Sequence, residues 1–318
     1  MYSFTGRIVV TGGAGFIGSH LVDRLLADSR AQVVVFDDFS RGRLTNLGRA
    51  QTESRLQILQ GDIRDAAAVA DALQGASIVF HLAARASQSA SDEEIEDSFT
   101  TNVVGTFNVL QAASQHAVRR LLFASSREVY GEPIALPVDE SHPLLAVTAY
   151  GASKVAGEAY CRAFRRVFGL QTVILRLAAV FGPRDSGRFI PDWWTRAQAG
   201  QDLYIPDEKQ VVDLVSVDQA VDALVRAAEM DEALPPINVA SGTGTRVVDV
   251  ARLIARLTGR RSQVRLLPKS IARPTPFVAD VGRMRQLLRI EPMPDPLSYL
   301  PRLLADPIGA VGPSVRYG

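Results

Sequence analysis

Cysteine is nearly absent from this sequence. Cys161 is the only one, which excludes an internal disulfide and any metal site built from several thiolates. Histidine is scarce as well, and the four imidazoles at 20, 81, 116 and 142 are too scattered to read as metal ligands, so no metal is expected. Charge of one sign is not in excess either: 35 Lys and Arg stand against 34 Asp and Glu. No broad field therefore draws the chain to nucleic acid or to an anionic membrane, and any anion it binds must meet a local site. Long hydrophobic runs are missing too. The first, IVV at 8–10, is far too short for a signal or a spanning segment, and no later run approaches the roughly 20 residues a bilayer requires. These absences lead us to expect a cytoplasmic protein acting on a small molecule, without nucleic-acid or membrane partners.

What is present is enough for a large core: 318 residues, 47% of them hydrophobic, can fill one big α/β domain or two fused lobes. Short β-branched runs alternate with amphipathic helical stretches: RIVVT at 7, QVVVFD at 32, RLQILQG at 55, SIVFHLA at 77, RRLLFASS at 119 and QTVILRLAA at 171. That rhythm predicts parallel strands joined by crossover helices, and runs such as VVVF and LLFA, apolar on both faces, fit strands covered by helices on each side. The fold class is thus α/β, a doubly wound parallel sheet with a smaller interleaved C-terminal lobe. The rhythm breaks after Ala179 into loops and a helical FIPDWWTRAQAG, and returns with VVDLVSVDQAVDALVRAA from 211. Residues 1–178 are assigned to the first lobe with 211–240 returning to it, and 179–210 and 241–318 to the second. Prolines cluster from Pro268, the last residues carry little apolar pattern, and there is no internal repeat.

Residues 11–18 read TGGAGFIG, so Gly12, Gly15 and Gly18, with Phe16 and Ile17, follow the first strand directly and open a helix. Glycines so placed let the backbone turn tightly, approach a pyrophosphate and pack helix on strand, while the helix N-terminus offers unpaired N–H groups. A second signal lies where a dinucleotide requires it, with Asp37 ending the next strand about 20 residues on. A carboxylate there accepts from a ribose diol and repels a 2′-phosphate, which favours NAD over NADP; Arg41 and Arg43 in the following SRGR keep the second cofactor open. The pattern is that of a Rossmann domain. Asp62, with Ile63, follows the third strand, and Leu82, Ala83 and Ala84 follow the fourth, so both segments reach the carboxyl edge of the sheet where ligands bind.

The chemistry is carried by AYGASK, where Tyr150 and Lys154 stand four residues apart on one helix face. A phenol titrates near pH ~10 in water. A neighbouring ammonium and a nicotinamide cation favour the phenolate, which then takes a hydroxyl proton near neutral pH. Ser126, ending the strand LLFASS at the same edge, completes a set able to surround one hydroxyl.

In the order TGGAGFIGSH, FDDFSRGR, GDIRD, HLAA, NVVGTFNVL, SSREVYG, YGASKVAGE and FGPRD, the chain resembles the nucleotide-sugar epimerase/dehydratase family of extended short-chain dehydrogenase/reductases, from about residue 6 to 280. The resemblance implies that Asp37, Asp38, Ser40, Asp62, Ile63, Asn102, Tyr150 and Lys154 contact NAD and that Ser126 assists Tyr150. It implies oxidation of a sugar carbon to a ketone and return of the hydride after inversion or elimination. It also implies a homodimer joined through the helices near 95–115 and 150–167, the second carrying a stripe of Ala152, Ala156, Ala159 and Ala163; packing of that stripe on its own sheet is the alternative.

The chain departs from the family at several points. RLAAVFGP has Ala179 in place of a usual Asn, and VDLVSVDQ has Val212 in place of an Arg that commonly grips the diphosphate. Compensating cations are sought in Arg184, Arg188, Lys209 and Arg273. SSREVYG places Arg127 where dehydratases carry an Asp, next to a Glu128 they often share, so Arg127 or Arg188 is a candidate partner for an acidic group such as a uronate. One of Trp193 and Trp194 is a candidate stacking surface. The reading is C4 epimerisation of a UDP-hexose or UDP-uronate. The alternatives are a 4,6-dehydratase or uronate decarboxylase, an oxidoreductase on a non-nucleotide substrate, and a non-catalytic dinucleotide-binding regulator.

Overall fold

The computed structural model describes residues 4–86, 92–186, 188–267 and 275–301. In chain order the elements are β1 (Arg7–Thr11), α1 (Phe16–Asp28), β2 (Gln32–Asp37), β3 (Leu56–Gln60), α2 (Ala66–Leu73), β4 (Ala76–His81) and α3 (Asp92–Asp97). A wider-turned helical segment, Ser98–Val104, leads from α3 into α4 (Gly105–Gln115). Then come β5 (Arg120–Ser126), α5 (Ala149–Phe168), β6 (Gln171–Leu177), β7 (Ala179–Phe181), α6 (Phe189–Gln198), β8 (Leu203–Ile205) and β9 (Val211–Ser216). The chain continues through α7 (Val217–Glu229), β10 (Ile237–Val239), β11 (Gly244–Arg246), α8 (Val247–Leu257), β12 (Val264–Leu266) and α9 (Gly282–Leu288).

Seven strands form one sheet in the order β10-β6-β5-β4-β1-β2-β3, every pairing parallel. Alternation at period two explains its two covered faces. Ile8, Val10, Val33, Val35, Ile78 and Phe80 share one core with Leu21 and Leu25 of α1 and Val221 and Leu224 of α7. Their neighbours Val9, Val34, Val79, Leu121 and Phe123 point the other way, onto Val69 of α2, Val109 of α4 and Phe164 of α5. Strand order reverses between β1 and β4, and that switch point opens the crevice in which ligands of doubly wound folds sit.

Helix ends are set locally. Thr148 Oγ1 accepts from Gly151 N at the start of α5, and Ser216 Oγ accepts from Gln219 N at the start of α7; each such cap contributes about 1 kcal/mol. Among the described residues no helix is long and apolar enough to cross a membrane.

A smaller lobe is built on the three-stranded sheet β11-β9-β7 and the pair β12-β8. The return to the large sheet, expected from 211, is made by α7 and β10 rather than by the strand itself: β9 pairs with β7 and β11, while β10 takes the edge beside β6. Strand β7 starts two residues after β6 ends, which hands the chain to the second sheet at once. Trp193 and Trp194 are buried in this lobe's core with Phe181, Leu214 and Ile254, and the Trp193 indole N–H donates to the Tyr204 carbonyl at 3.1 Å. Neither indole offers a face for stacking. Asp213 ties the lobe together, its carboxylate accepting from Ser241 N, Ser241 Oγ, Gly242 N and Ala279 N.

Candidate active site

The cleft at the switch point has one wall of main chain. Gly12 has φ +69°, and a Cβ there would come within 2.7 Å of Ala83 N. The turn after β1 can therefore lie against the segment after β4 only because the residue is glycine. Gly18 is needed for packing, since its Cβ would stand 2.1 Å from Gly12 O. Gly15 differs: a Cβ there would approach only Gly12 O, at 3.1 Å. It caps α1 without any side-chain hydrogen bond, so Phe16, Ile17 and Gly18 open the helix with N–H groups that no capping side chain takes. That is a cradle fitted to an anionic pyrophosphate.

Asp37 closes the turn at the end of β2. Its buried carboxylate accepts from Ala14 N (Oδ2, 2.9 Å) and Phe39 N (Oδ1, 2.9 Å), and burial raises its pKa above the usual range. Each oxygen keeps a lone pair for a ribose hydroxyl. Asp38 accepts from Ser40 N and Oγ. Asp62 accepts from the Arg64 guanidinium (Nε, 2.8 Å), which lowers its pKa, and Ile63 is buried against Gly105. Leu82 N and Ala83 N donate to Thr11, and Ala84 follows in the same partly exposed stretch.

Asn102 lies elsewhere in the hierarchy. Its amide is used on both sides, accepting from Arg85 N (2.7 Å) and donating to Arg85 O (2.9 Å) and Ser153 Oγ (3.0 Å). It thus fixes the segment after β4 against α5.

The opposite wall is made of side chains. Ser126 ends β5, its Oγ accepting from Glu128 N, and its hydroxyl favours the phenolate of Tyr150. Burial pushes the Tyr150 phenol up to about 12; Arg188, the Ser126 bond and Arg41 pull it down and Glu128 pushes it up. Lys154 is buried, donates from Nζ to Ala124 O at 2.9 Å, and lies 4.8 Å from the Phe123 ring centroid and 5.6 Å from that of Tyr150. Burial brings its own pKa down to about 8, opposed by Cys161 and by the Glu158 carboxylate. The ammonium is therefore held by a carbonyl and two rings, and the guanidiniums share the task of acidifying the phenol.

Arg184, Arg127, Arg188 and Arg41 all hold partners and differ in where those partners lie. Arg184 pairs with Asp23 of α1 at 2.7 Å, and Arg127 with Glu128 at 2.8 Å while lying over the Phe277 ring. Each of these two guanidiniums already holds a carboxylate, and Arg184 Nη1 is buried without a hydrogen-bond partner among the described residues. Lys209 is exposed, and Arg273 lies outside the described residues. Arg188 donates to Val180 O (2.7 Å), meets Asp185 at 3.1 Å and stacks over Phe16 at the start of α1. Arg41 reaches Ala86 O at 2.8 Å, within electrostatic range of Arg188, Asp185 and Tyr150. Its place in SRGR points to a 2′-phosphate and gives no sign of this reach toward the phenol. Asp185, 3% exposed with its pKa raised by burial, joins them, a role that GPRD does not announce in the sequence. Ala179 and Val212 lie in strands of the small sheet, Val212 buried among its apolar neighbours.

A sequence model of the NAD dependent epimerase/dehydratase family matches residues 8–240. The chain belongs to that family. It is 34% identical over 293 residues to a UDP-glucose 4-epimerase of Mycolicibacterium smegmatis, covering 90% of this chain and 93% of that one. Its structure is similar to the UDP-N-acetylglucosamine 4-epimerase of Methanobrevibacter ruminantium, with a TM-score of 0.88, 29% identity and coverage of 96% and 98% of the two chains. It is similar also to the UDP-glucuronic acid 4-epimerase of Bacillus cereus, solved with UDP-glucuronic acid and NAD (TM-score 0.86, 26% identity, coverage 92% and 96%). The chain is accordingly an NAD-dependent enzyme of the epimerase/dehydratase family. The glycine cradle, the helix N-terminus and Asp37 are of the kind that holds this cofactor.

Proposed function

We propose that the chain is a nucleotide-sugar epimerase that inverts C4 of a UDP-hexose or UDP-uronate through a transient ketone. One observation carries the reading: Ser126, Tyr150 and Lys154 converge at the carboxyl edge of the sheet, across the crevice from the glycine turn. In this reading Gly12, Gly15, Phe16, Ile17, Gly18, Asp37 and the segment Leu82–Ala84 hold the dinucleotide. NAD supplies the hydride acceptor, the hydride that returns, and a positive charge on the ring. Tyr150 Oη takes the proton of the C4 hydroxyl as the C–H bond breaks, and gives it back when the ketone is reduced on the other face. The Ser126 hydroxyl orients the reacting oxygen. Arg188, the Ser126 hydroxyl and Arg41 oppose the burial that otherwise keeps the phenol protonated, and the Lys154 ammonium adds a positive charge 5.6 Å from its ring centroid. With Val212 where a diphosphate-gripping Arg is usual, Arg41 and Arg188 are the cations we assign to anionic groups, a uronate carboxylate included.

Glu128 keeps elimination or decarboxylation as a second reading, because both need a proton carrier besides the tyrosine. The Arg127–Glu128 pairing favours epimerisation. Incubating the protein with UDP-, dTDP-, GDP- and CDP-sugars, neutral and uronate, and reading products by NMR and mass spectrometry tests this. An epimer of unchanged mass without net NADH formation is expected. Loss of water or carbon dioxide supports the second reading, and stoichiometric NADH indicates an oxidoreductase.

Homodimer formation belongs to the same proposal. Ala152, Ala159 and Ala163 face outward on α5 while Gly151, Lys154, Gly157, Glu158 and Cys161 face the protein. Tyr160, Phe99, Ile95 and Val104 are exposed on the same side, where α5 packs against Ser98–Val104 and α4. Small residues there let a second copy approach closely. Light scattering on Ala159→Arg is expected to show a monomer.

A further inference from the structure

Behind α5 lies a buried ion pair that the proposed chemistry does not use. Glu158, on α5 one turn beyond Lys154, is 0% exposed, and Arg176, on β6, is 4% exposed. Arg176 donates twice, from Nε to Glu158 Oε1 (2.9 Å) and from Nη2 to Oε2 (2.8 Å). Ser125 Oγ, next to the catalytic serine, donates to Oε1 at 2.7 Å, and Arg162 approaches Oε2 from the surface at 3.3 Å. The third nitrogen of Arg176 donates to Tyr130 Oη (2.9 Å) and Glu140 O (3.1 Å), and Tyr130 Oη donates to Asn238 Oδ1 at 2.6 Å on β10. The pair therefore bonds α5 to β5 and β6, and continues to β10.

Stability alone is a poor reason for such a pair, because two buried charges roughly break even with, or lose to, apolar residues of the same volume. Its position suggests the reason. The groups facing Lys154 are Tyr150, Glu158 and Cys161 on its own helix, the Phe123 ring and Ala124 carbonyl on β5, and the neutral imidazole of His81 on β4. Of these Glu158 is the carboxylate, and Arg176 balances it.

We propose that Glu158 and Arg176 are positioning residues for Lys154, a balanced pair of charges that sets α5 in register on β5 and β6 and governs how firmly the Lys154 amine holds its proton. The inference rests on the reading of Tyr150 and Lys154 as the catalytic pair. It makes a prediction of opposite sign for its two halves. Glu158→Gln removes the negative charge and leaves the guanidinium, so Lys154 loses its proton at lower pH; Arg176→Met leaves the carboxylate with only the surface-side Arg162 as cation, so Lys154 keeps its proton to higher pH. Shifts of about one pH unit are expected for a buried charge one helical turn from the amine.

The chain has three lysines, at 154, 209 and 269, so NMR of lysine side chains in the NAD-loaded protein reads the Lys154 titration directly, with Lys154→Arg supplying its assignment. The alkaline limb of the kcat profile is followed in parallel, and KM is expected to hold while kcat changes. The double variant, Glu158→Gln with Arg176→Met, removes one charge of each sign, so the net charge behind Lys154, Arg162 included, is that of the parent, and its midpoint is expected to return to the parental one. A Lys154 midpoint unmoved in Glu158→Gln, or moved the same way in both single variants, overturns the proposal. Should the single variants fail to fold, a displaced midpoint in the double variant overturns it instead, and a parental one supports it. Failure of the underlying catalytic reading looks different: the NMR midpoints still move, but activity does not follow them.

Discussion

The wall formed by β1, α1 and the segment after β4 presents main chain to the cleft, whereas the wall formed by β5, α5 and the segment after β7 presents side chains. On the first, glycines remove steric bulk so that backbone can approach backbone and N–H groups stay open. On the second, the Tyr150 phenol and the buried Lys154 amine stand near the Arg188 guanidinium, with Arg41 reaching within electrostatic range from the segment after β2, and the phenol's protonation depends on both guanidiniums. The difference teaches what kind of damage each wall tolerates. A main-chain site fails when an atom is added, and a side-chain site fails when a charge or hydroxyl is removed.

The largest expected effect lies on the side-chain wall. Tyr150→Phe keeps the ring and deletes the proton carrier, so kcat should fall by about 10²–10⁴, the usual contribution of a positioned acid–base group. NAD affinity, measured by calorimetry, should change little. The converse break is Gly12→Ala. A Cβ at 2.7 Å from Ala83 N, at φ +69°, should weaken NAD binding by about 100-fold, equivalent to about 2.7 kcal/mol, with Tyr150 still in place. A main-chain wall indifferent to that methyl would erase the contrast.

A third change falls where the walls' materials meet. Asp37→Asn leaves one oxygen to accept where two now serve Ala14 N and Phe39 N. It should cost about 10-fold in NAD affinity, on the scale of one lost charge-assisted hydrogen bond, and narrow the preference over NADP. Equilibrium binding of both dinucleotides checks it.

The smallest effect on activity concerns His81, which braces the two strands flanking the switch point. Its ring nitrogens bond Thr11 Oγ1 (2.7 Å) and Thr106 Oγ1 (2.9 Å), and burial lowers its pKa to about 3. The unfolded chain takes up a proton below about 6.5 that the folded one refuses until about 3. Stability is thus full above the unfolded value and declines as pH falls through that window, by a few kcal/mol at most. Urea unfolding between pH 7 and 4 should show the decline, and His81→Gln should flatten it.

Legibility followed the same division. Six strands of the large sheet were readable from their apolar runs, and each forms where it was expected. The seventh, Ile237–Val239, is three residues long and carries too little period to stand out. The glycine turn and Asp37 were readable because their function depends on backbone geometry that residue type and spacing encode. The arginines were not. Arg184 is claimed by Asp23 and Arg127 by Glu128, while Arg41 crosses to Ala86 beside Tyr150. Nothing in the spacing of an arginine announces which carboxylate or carbonyl the folded chain will bring to it. The tryptophans of α6 went to the core for the reason aromatic residues usually do, with the indole N–H of Trp193 satisfied by a carbonyl.

By itself, the sequence determined the alternation of strand and helix, the turn that only glycine can make, and the presence of a tyrosine and a lysine on one face of one helix. These are local properties, set by side-chain size, backbone freedom and periodicity within a few residues. Tertiary structure alone decided which charges neutralise each other, that the Lys154 ammonium rests on the Ala124 carbonyl, and that Glu158 meets Arg176 behind it. Those outcomes depend on distance and desolvation between segments far apart in the chain, and both come into being only when the layers close.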